Sequence, residues 1–359
     1  MKKWFLHILF LAGLFGVLTT SCSQEEDDPT QECRKAQVVF TLALDGQSSG
    51  SRGTWEEYSP SDIGEGIDNR INPDQFHVQI IAGGKTYTVS NILTLPKGNN
   101  VYEFMGEVSV EASATNAKIM VYANMDSPTT QTFGTNYTTT NPYGVQYIPM
   151  WGVQTVSLSL TPGTRTTLNE PIYLLRAMAK VEINLEPEGY TLEGVTLNRY
   201  NSTGYNLPAD AAVAVVVNTK KLQYENESPL SFNPCTTTTG KDLNFSVSNN
   251  HLVFYLPEVA NGTGENGDLT MTLTIKDNET NNPFKLTNGA DPVLYFKDYQ
   301  TNTPFDVVRN HWYKYTVSIY NKAEFNVSYK AEDWVDIEPG TLNFGDEDGA
   351  TLIPNNSNQ

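Results

Sequence analysis

Cysteine is nearly missing from this chain: 359 residues hold only Cys22, Cys33 and Cys235. No CxxC pair or Cys/His cluster exists, which argues against a structural zinc site. Basic residues are also scarce, 23 against 41 acidic ones, for a formal net charge of -18. Phosphate binding needs a basic face, so nucleic acid is excluded as a partner. The charge reads instead as solubility of a secreted protein. The four histidines, His7, His77, His251 and His311, stand singly, and the last three read as packing residues beside strands. There is no Gly-x-Ser-x-Gly elbow, phosphate loop or dinucleotide fingerprint. Asp346-Glu347-Asp348-Gly349 has the start of a calcium loop without its later bidentate glutamate. Carboxylates are plentiful, yet nothing singles out a pair for glycoside cleavage. The expectation is therefore a protein that is not an enzyme and uses no metal or cofactor. Internal repeats of 20–50 residues are absent as well.

Long apolar runs are limited to one. Trp4 to Leu18, after Met1-Lys2-Lys3, has signal-peptide length and is too short to span a membrane comfortably. It ends in Thr19-Thr20-Ser21-Cys22, and small residues before a cysteine resemble the end of a bacterial lipoprotein signal, with Cys22 as the lipidated residue. Thr19 stands where that pattern usually has leucine, and a secretory signal cleaved near Ser21 is the alternative. The acidic Glu25-Glu26-Asp27-Asp28 that follows resembles the surface-export signal of Bacteroidetes lipoproteins. Outer-membrane attachment through that lipid, at the cell surface, is the localisation implied.

Hydrophobic residues make up 39% of the chain, enough for real cores, and its length suits about two domains. Period-2 patterns recur: Lys180-Val181-Glu182-Ile183-Asn184-Leu185-Glu186, Thr270 to Ile275 and Tyr313 to Ile319 alternate without a break. Each pattern predicts an antiparallel strand with one wet face. Further strands are expected at 76–81, 85–89, 101–104, 118–122, 155–160, 242–247, 252–256 and 325–329, with turn clusters such as Gly83-Gly84 between them. A short helix is expected near Ala209 to Ala212, and 124–146 and 258–268 read as loops. The fold class expected is all-β, as two tandem antiparallel β-sandwiches.

One strand is distinctive. Val38, Phe40, Leu42 and Leu44 alternate with Val39, Thr41, Ala43 and Asp45, so one face is fully apolar. The loose segment Gly46 to Gly53 follows, carrying one arginine, Arg52. Such a linker is open to proteases. Arg34 and Arg70 are competing cut sites, but Arg34 precedes the strand and Arg70 falls in a folded loop. Cutting between Arg52 and Gly53 would free the strand, and burying its four apolar side chains is worth roughly 6–12 kcal/mol. Its loss would open a groove and bare sheet edges, a template for another strand. A donor candidate is the C-terminal tail, where Leu342, Phe344, Ala350 and Leu352 share parity but Asp346 and Asp348 interrupt the face. Buried unpaired, those carboxylates would be costly. The tail thus reads as two short strands around Gly345 to Gly349, or alternatively as an ordinary edge strand with a polar end.

Several segments in this order resemble the fimbrillins, subunits of the type V pili of Bacteroidales. They are the leader and Cys22, the first strand, Ser51-Arg52-Gly53, Val121-Tyr122-Ala123-Asn124 and Met150-Trp151-Gly152. Leu175 to Ile183 is similar to an arginine-x-x-alanine-lysine signature that starts the family's second domain. Val308-Arg309-Asn310-His311-Trp312-Tyr313 and Glu332-Asp333-Trp334 resemble its closing pair of strands. The resemblance implies a signal peptide over 1–21, a removable propeptide over 22–52, sandwich domains over 53–168 and 169–334, and a tail over 335–359. It implies export as a lipoprotein, cutting by an arginine-specific surface protease, and donor-strand exchange with other pilin subunits in a homo- or hetero-polymer. Adhesion to a host glycan or protein would follow, and Tyr137, Tyr143, Tyr147 and Trp151 either present rings to such a partner or pin a long loop onto the sandwich. The alternative is an uncleaved surface lipoprotein acting as pilus anchor or adhesin.

Overall fold

A computed structural model describes residues 35–43, 65–68, 70–96, 102–109, 117–158, 160–186, 188–218, 223–224, 228–235, 238–239, 242–262, 268–298, 302–320, 324–333, 343–344 and 351–352. Their regular structure is β apart from the one-turn helix Glu65–Asp68 and the 3-10 turn Pro73–Gln75.

Four larger sheets organise the chain. The first runs, in pairing order, Arg165–Thr167, Lys35–Ala43, Tyr102–Ser109, Ser90–Pro96 and Thr351–Leu352, with Ile172–Tyr173 also against Lys35–Ala43. The second runs Leu175–Arg176, Met150–Val156, Ala117–Ala123, Phe76–Ala82 and Lys85–Thr88. These two sheets share one apolar core, to which Phe40, Phe104, Phe76, Val78, Ile119 and Val121 belong. The third sheet orders His251–Pro257, Met178–Leu185, His311–Tyr320 and Glu324–Asp333. The fourth orders Leu243–Ser246, Tyr190–Leu197, Thr270–Asp277 and Asn282–Pro283, with Val293–Tyr295 also on Thr270–Asp277. A second core lies between them, including Ile183, Leu197, Phe254, Leu273 and Tyr315. Two face-to-face sheets with a shared core form the sandwich arrangement.

The sheet pairs touch directly. Met178, Val253, Tyr255 and Trp312 of the third sheet belong to the first core, and the described residues fall within one compact unit. Pairing with strands of the first half continues through Arg176, opposite Met150; pairing with the second half begins at Met178, opposite Pro257.

Alternation is faithful where one face meets water. Phe76–Ala82 alternates buried and half-buried residues along its length, and Thr270–Asp277 buries Met271, Leu273 and Ile275. The pattern misleads where both faces are covered. Lys180 is expected on a wet face, yet it is 1% exposed, because that face of Met178–Leu185 meets the first core. The strand expected at 155–160 is instead Met150–Val156, whose first five residues are all buried and so carry no period-2 signal. Met150-Trp151-Gly152 therefore lies in a strand paired on both sides. Ser90–Pro96 and Tyr190–Leu197 are strands the pattern did not reveal, each broken by a bulge. Near Ala209 to Ala212 the chain makes a hydrogen-bonded turn, with Val213 and Ala214 donating to the Asp210 carbonyl, rather than a helix. The β-branched residues that follow oppose helix propagation.

Gly152 marks the tightest approach. A Cβ there would overlap the Tyr173 carbonyl oxygen and stand 3.0 Å from Leu174 Cδ2. Backbone cannot yield as a side-chain tip does, so Gly152→Ala is expected to destabilise the fold by about 1–3 kcal/mol, the usual cost of overpacking. Thermal unfolding of the variant checks this; an unchanged midpoint would refute the close approach.

Candidate functional site

The first strand, Lys35–Ala43, is interior. On one side it pairs antiparallel with Tyr102–Ser109, Phe40 opposite Phe104. On the other it pairs parallel with Arg165–Thr167 and Ile172–Tyr173, Val38 opposite Thr166 and Leu42 opposite Ile172. Backbone bonds secure that side: Gln37 donates to Thr164 at 2.8 Å and Leu168 to Val39 at 2.8 Å. Val38 and Phe40 have no exposed surface and Leu42 only 3%. Phe40 stacks on Phe104, centroids 5.4 Å apart, and Phe104 on Phe76 at 5.2 Å. Val39, on the face that carries Thr41, is buried too. At the strand's start Lys35 meets Glu107 at 2.9 Å, an exposed pair of small value. Withdrawal of this strand would leave a parallel and an antiparallel ladder both unpaired, with an apolar trough between them.

Of the other residues singled out by sequence, Cys22, Leu44, Arg52, Gly53, Leu342 and Ala350 lie outside the described residues. Phe344 lies in the short strand Asn343–Phe344, parallel to Arg70–Ile71 and opposite Ile71. Leu352 lies in Thr351–Leu352, antiparallel to Ser90–Pro96 and opposite Leu93. Tail and first strand therefore join one sheet, separated by Ser90–Pro96 and Tyr102–Ser109.

Behind the strand the signature residues converge on a carboxylate that sequence reasoning missed. Asp68 closes the helix Glu65–Asp68 and is 1% exposed. Lys180 Nζ donates to its Oδ2 at 2.8 Å, the Tyr255 hydroxyl donates to its Oδ1, and Arg176 Nε donates to its backbone oxygen at 2.9 Å. Lys180 also stands 4.3 Å from the Trp312 ring centroid, a cation–π contact. Asn310, buried with φ of 57°, accepts from the Arg176 backbone and donates its own to Met178. Burial, followed by the Asp68 charge, pushes the Tyr255 phenol well above its ordinary range, which keeps it a donor. The available signal was Lys180 itself, a cation in a strand whose wet face turned out to be dry.

Two further signature residues are tie points. Arg309 holds Glu258 with Nη2 at 2.6 Å and Nε at 3.0 Å, both fully buried. Asn124, at φ of 61°, accepts from the Asn72 backbone at 2.8 Å and donates to the carbonyls of Arg70 and Ile148. The segment 65–72 is thus clamped from two sides, by the Asp68 cluster and by Asn124. Of the aromatic loop, Tyr137 donates to the Tyr255 carbonyl at 2.6 Å, Tyr143 packs 5.6 Å from the Tyr255 ring, and Trp151 is buried. Tyr137 and Tyr143 thus pin the loop, while Trp151 packs inside its strand's own cluster with Tyr122 and Met125.

The chain is similar to the tip fimbrial protein Mfa3 of Porphyromonas gingivalis, in a C-terminally truncated form (TM-score 0.46, 14% identity, 84% of this chain and 100% of that one). It is similar to a fimbrilin of Porphyromonas gingivalis W83 (TM-score 0.47, 14% identity, 85% and 99%) and to a putative cell adhesion protein of Bacteroides uniformis (TM-score 0.42, 14% identity, 86% and 100%). No family model and no curated protein matches the sequence.

The clamp makes a prediction about proteolysis. Removing one partner of a buried pair typically costs about 3–5 kcal/mol. Asp68→Ala should lose stability on that scale and open Arg70, whose carbonyl Asn124 holds, to an arginine-specific protease. Limited digestion followed by mass spectrometry reads the cut positions. Equal resistance of Arg70 in the variant and in the parent chain would dismiss the clamp.

Proposed function

We propose that this chain is a structural subunit of a cell-surface fimbrium, exported as a lipoprotein through Cys22, cut after Arg52 and polymerised by donor-strand exchange. The observation that carries this reading is the position of Lys35–Ala43, an interior strand paired on both sides and buried along its apolar face. Arg52 is the only basic residue between that strand and Asp68, and Asp68 fixes the segment that follows. One cut would separate the strand covalently while leaving the body clamped. A groove so opened demands a replacement strand of similar apolar content, and a neighbouring subunit can supply it. The candidate donor is the tail, through Leu342, Phe344, Ala350 and Leu352.

A second reading keeps the chain whole as a lipid-anchored pilus anchor or adhesin. The observation on its side is the pairing of Asn343–Phe344 and Thr351–Leu352 with strands of the same chain, because a donor must leave its own body.

N-terminal sequencing of the protein recovered from the cell surface separates the two. A start at Gly53, with ladders that resist sodium dodecyl sulfate, is expected for the polymer. A lipid-blocked start at Cys22 would rule out cutting and leave the anchored form. A second expectation concerns the groove. Phe40→Ala in the precursor should cost about 3–5 kcal/mol before cutting and nothing after it, since the residue leaves with the strand. Unfolding midpoints of precursor and cut protein measure the difference.

A further inference from the structure

A polar cleft of about 460 Å³ opens beside the pinned aromatic loop, lined by Gln75, Asp126, Phe133, Gln146, Tyr147 and Asn206 among others. Its size falls in the range of small-ligand sites. We propose that it is a binding site for a neutral saccharide of a host or neighbouring-cell glycan. The proposal rests on the reading of the chain as a surface protein, but not on whether the chain is cut.

The cleft is preformed. Thr132–Gly134 pairs with Thr203–Tyr205, drawing the loop onto the second half of the chain. Asn206 continues that contact: its backbone donates to Gln131 at 2.9 Å and its Nδ2 to Thr130 at 2.8 Å. At the other end Asn136 donates to Gly144, where φ of 72° and the Tyr137 ring leave no room for a side chain. Tyr137 in turn is anchored on Tyr255. Preorganised walls spare a ligand the ordering cost that a loose loop would impose.

The chemistry of the walls selects the ligand. Among the described residues no lysine, arginine or histidine lines the cleft, so none of them compensates a phosphate, sulfate or sialic acid carboxylate there. The carboxylate among the described lining residues, Asp126, already accepts from Gln75 Nε2 at 2.7 Å, which fits a hydroxyl donor better than a free cation. Gln146, exposed in the wall, carries a donor and an acceptor fork that matches vicinal hydroxyls, while Gln75 is engaged with Asn72 and Asp126 and Asn206 with Thr130. Asn206 is 2% exposed, so its part in the wall is to hold the loop rather than to meet the ligand. Tyr147 and Phe133, both half-buried, offer ring faces against which the C–H face of a sugar can pack. None of the lining residues belongs to the first strand or to the strands paired with it, so the cleft is independent of the groove.

The test uses the chain as recovered from the cell surface. Saturation-transfer NMR and calorimetry would be run with the methyl glycosides of glucose, galactose, mannose and N-acetylglucosamine, and with lactose against sialyllactose. Gln146→Ala and Tyr147→Ala serve as variants, since Gln146 is exposed and Tyr147 half-buried, and unchanged unfolding midpoints show that they fold. The expected result is binding of at least one neutral sugar, weakened about tenfold or more in both variants, the loss of one good contact. Absence of binding by every neutral sugar, undiminished binding in the variants, or a preference for sialyllactose over lactose would each overturn the proposal. N-terminal sequencing is unaffected by any of these results, so failure here is distinguishable from failure of the fimbrial reading.

Discussion

A carboxylate taken out of water sets the terms for the rest of this structure. Asp68 is 1% exposed, and an unpaired charge at that depth would not stay charged. Its burial is tolerable only because Lys180 and Tyr255 satisfy both oxygens while Arg176 holds its carbonyl. Each partner is itself buried and makes its own demands. Lys180 leans on Trp312, and the Arg176 backbone needs Asn310, whose positive φ places its side chain back toward the strand. These requirements press the third sheet against the first core. A pair this well satisfied need not add net stability, yet breaking it is expensive, so it fixes geometry more than it lowers energy.

That distinction bears on strand exchange. The first strand is held by forces without individual identity: apolar burial, ring stacking and backbone ladders. Any strand with the right alternation can supply them again. The segment that follows is held by specific charges that no incoming strand could replace. If the proposed exchange operates, nonspecific adhesion before Arg52 and specific adhesion after it would separate a part that can be substituted from a part that must stay. The order of the residues along the chain, strand, then arginine, then clamped aspartate, places the only basic residue of that stretch at the junction.

Legibility followed burial geometry. Strands with one covered face announced themselves by alternation, as Phe76–Ala82 and Thr270–Asp277 did. Met150–Val156 did not, because a strand covered on both faces has no period to read. Ser90–Pro96 was hidden by its bulge at Asn91, whose φ of 51° breaks the register. Val38, Phe40 and Leu42 were readable as an inward face from spacing alone, while their neighbours across the sheet were not, since parallel pairing with residues 165–173 leaves no local mark. Arg176, Asn310 and Asn124 were visible only as a pattern of resemblance, and Lys180 besides that only as one polar residue of an alternating strand. Their function, to gather round Asp68 and residues 70–72, required the three-dimensional arrangement because the partners are more than fifty residues away. Asp68 itself looked like one more acid in an acidic chain.

The tail shows the same logic in reverse. Its apolar residues share parity, which suggested a single inserting face, but two aspartates stand between the halves. Phe344 pairs beside Ile71 and Leu352 beside Leu93, so the apolar ends engage separate strands, Ile71 next to the clamped segment and Leu93 in the first sheet. Each pairing involves only two residues, far less than the nine-residue first strand. Ladder bonds and buried area grow with paired length. Under the proposed exchange, a tail giving up these two described contacts and seated along a vacated groove would form a longer ladder there, provided Asp346 and Asp348 stay off its apolar face.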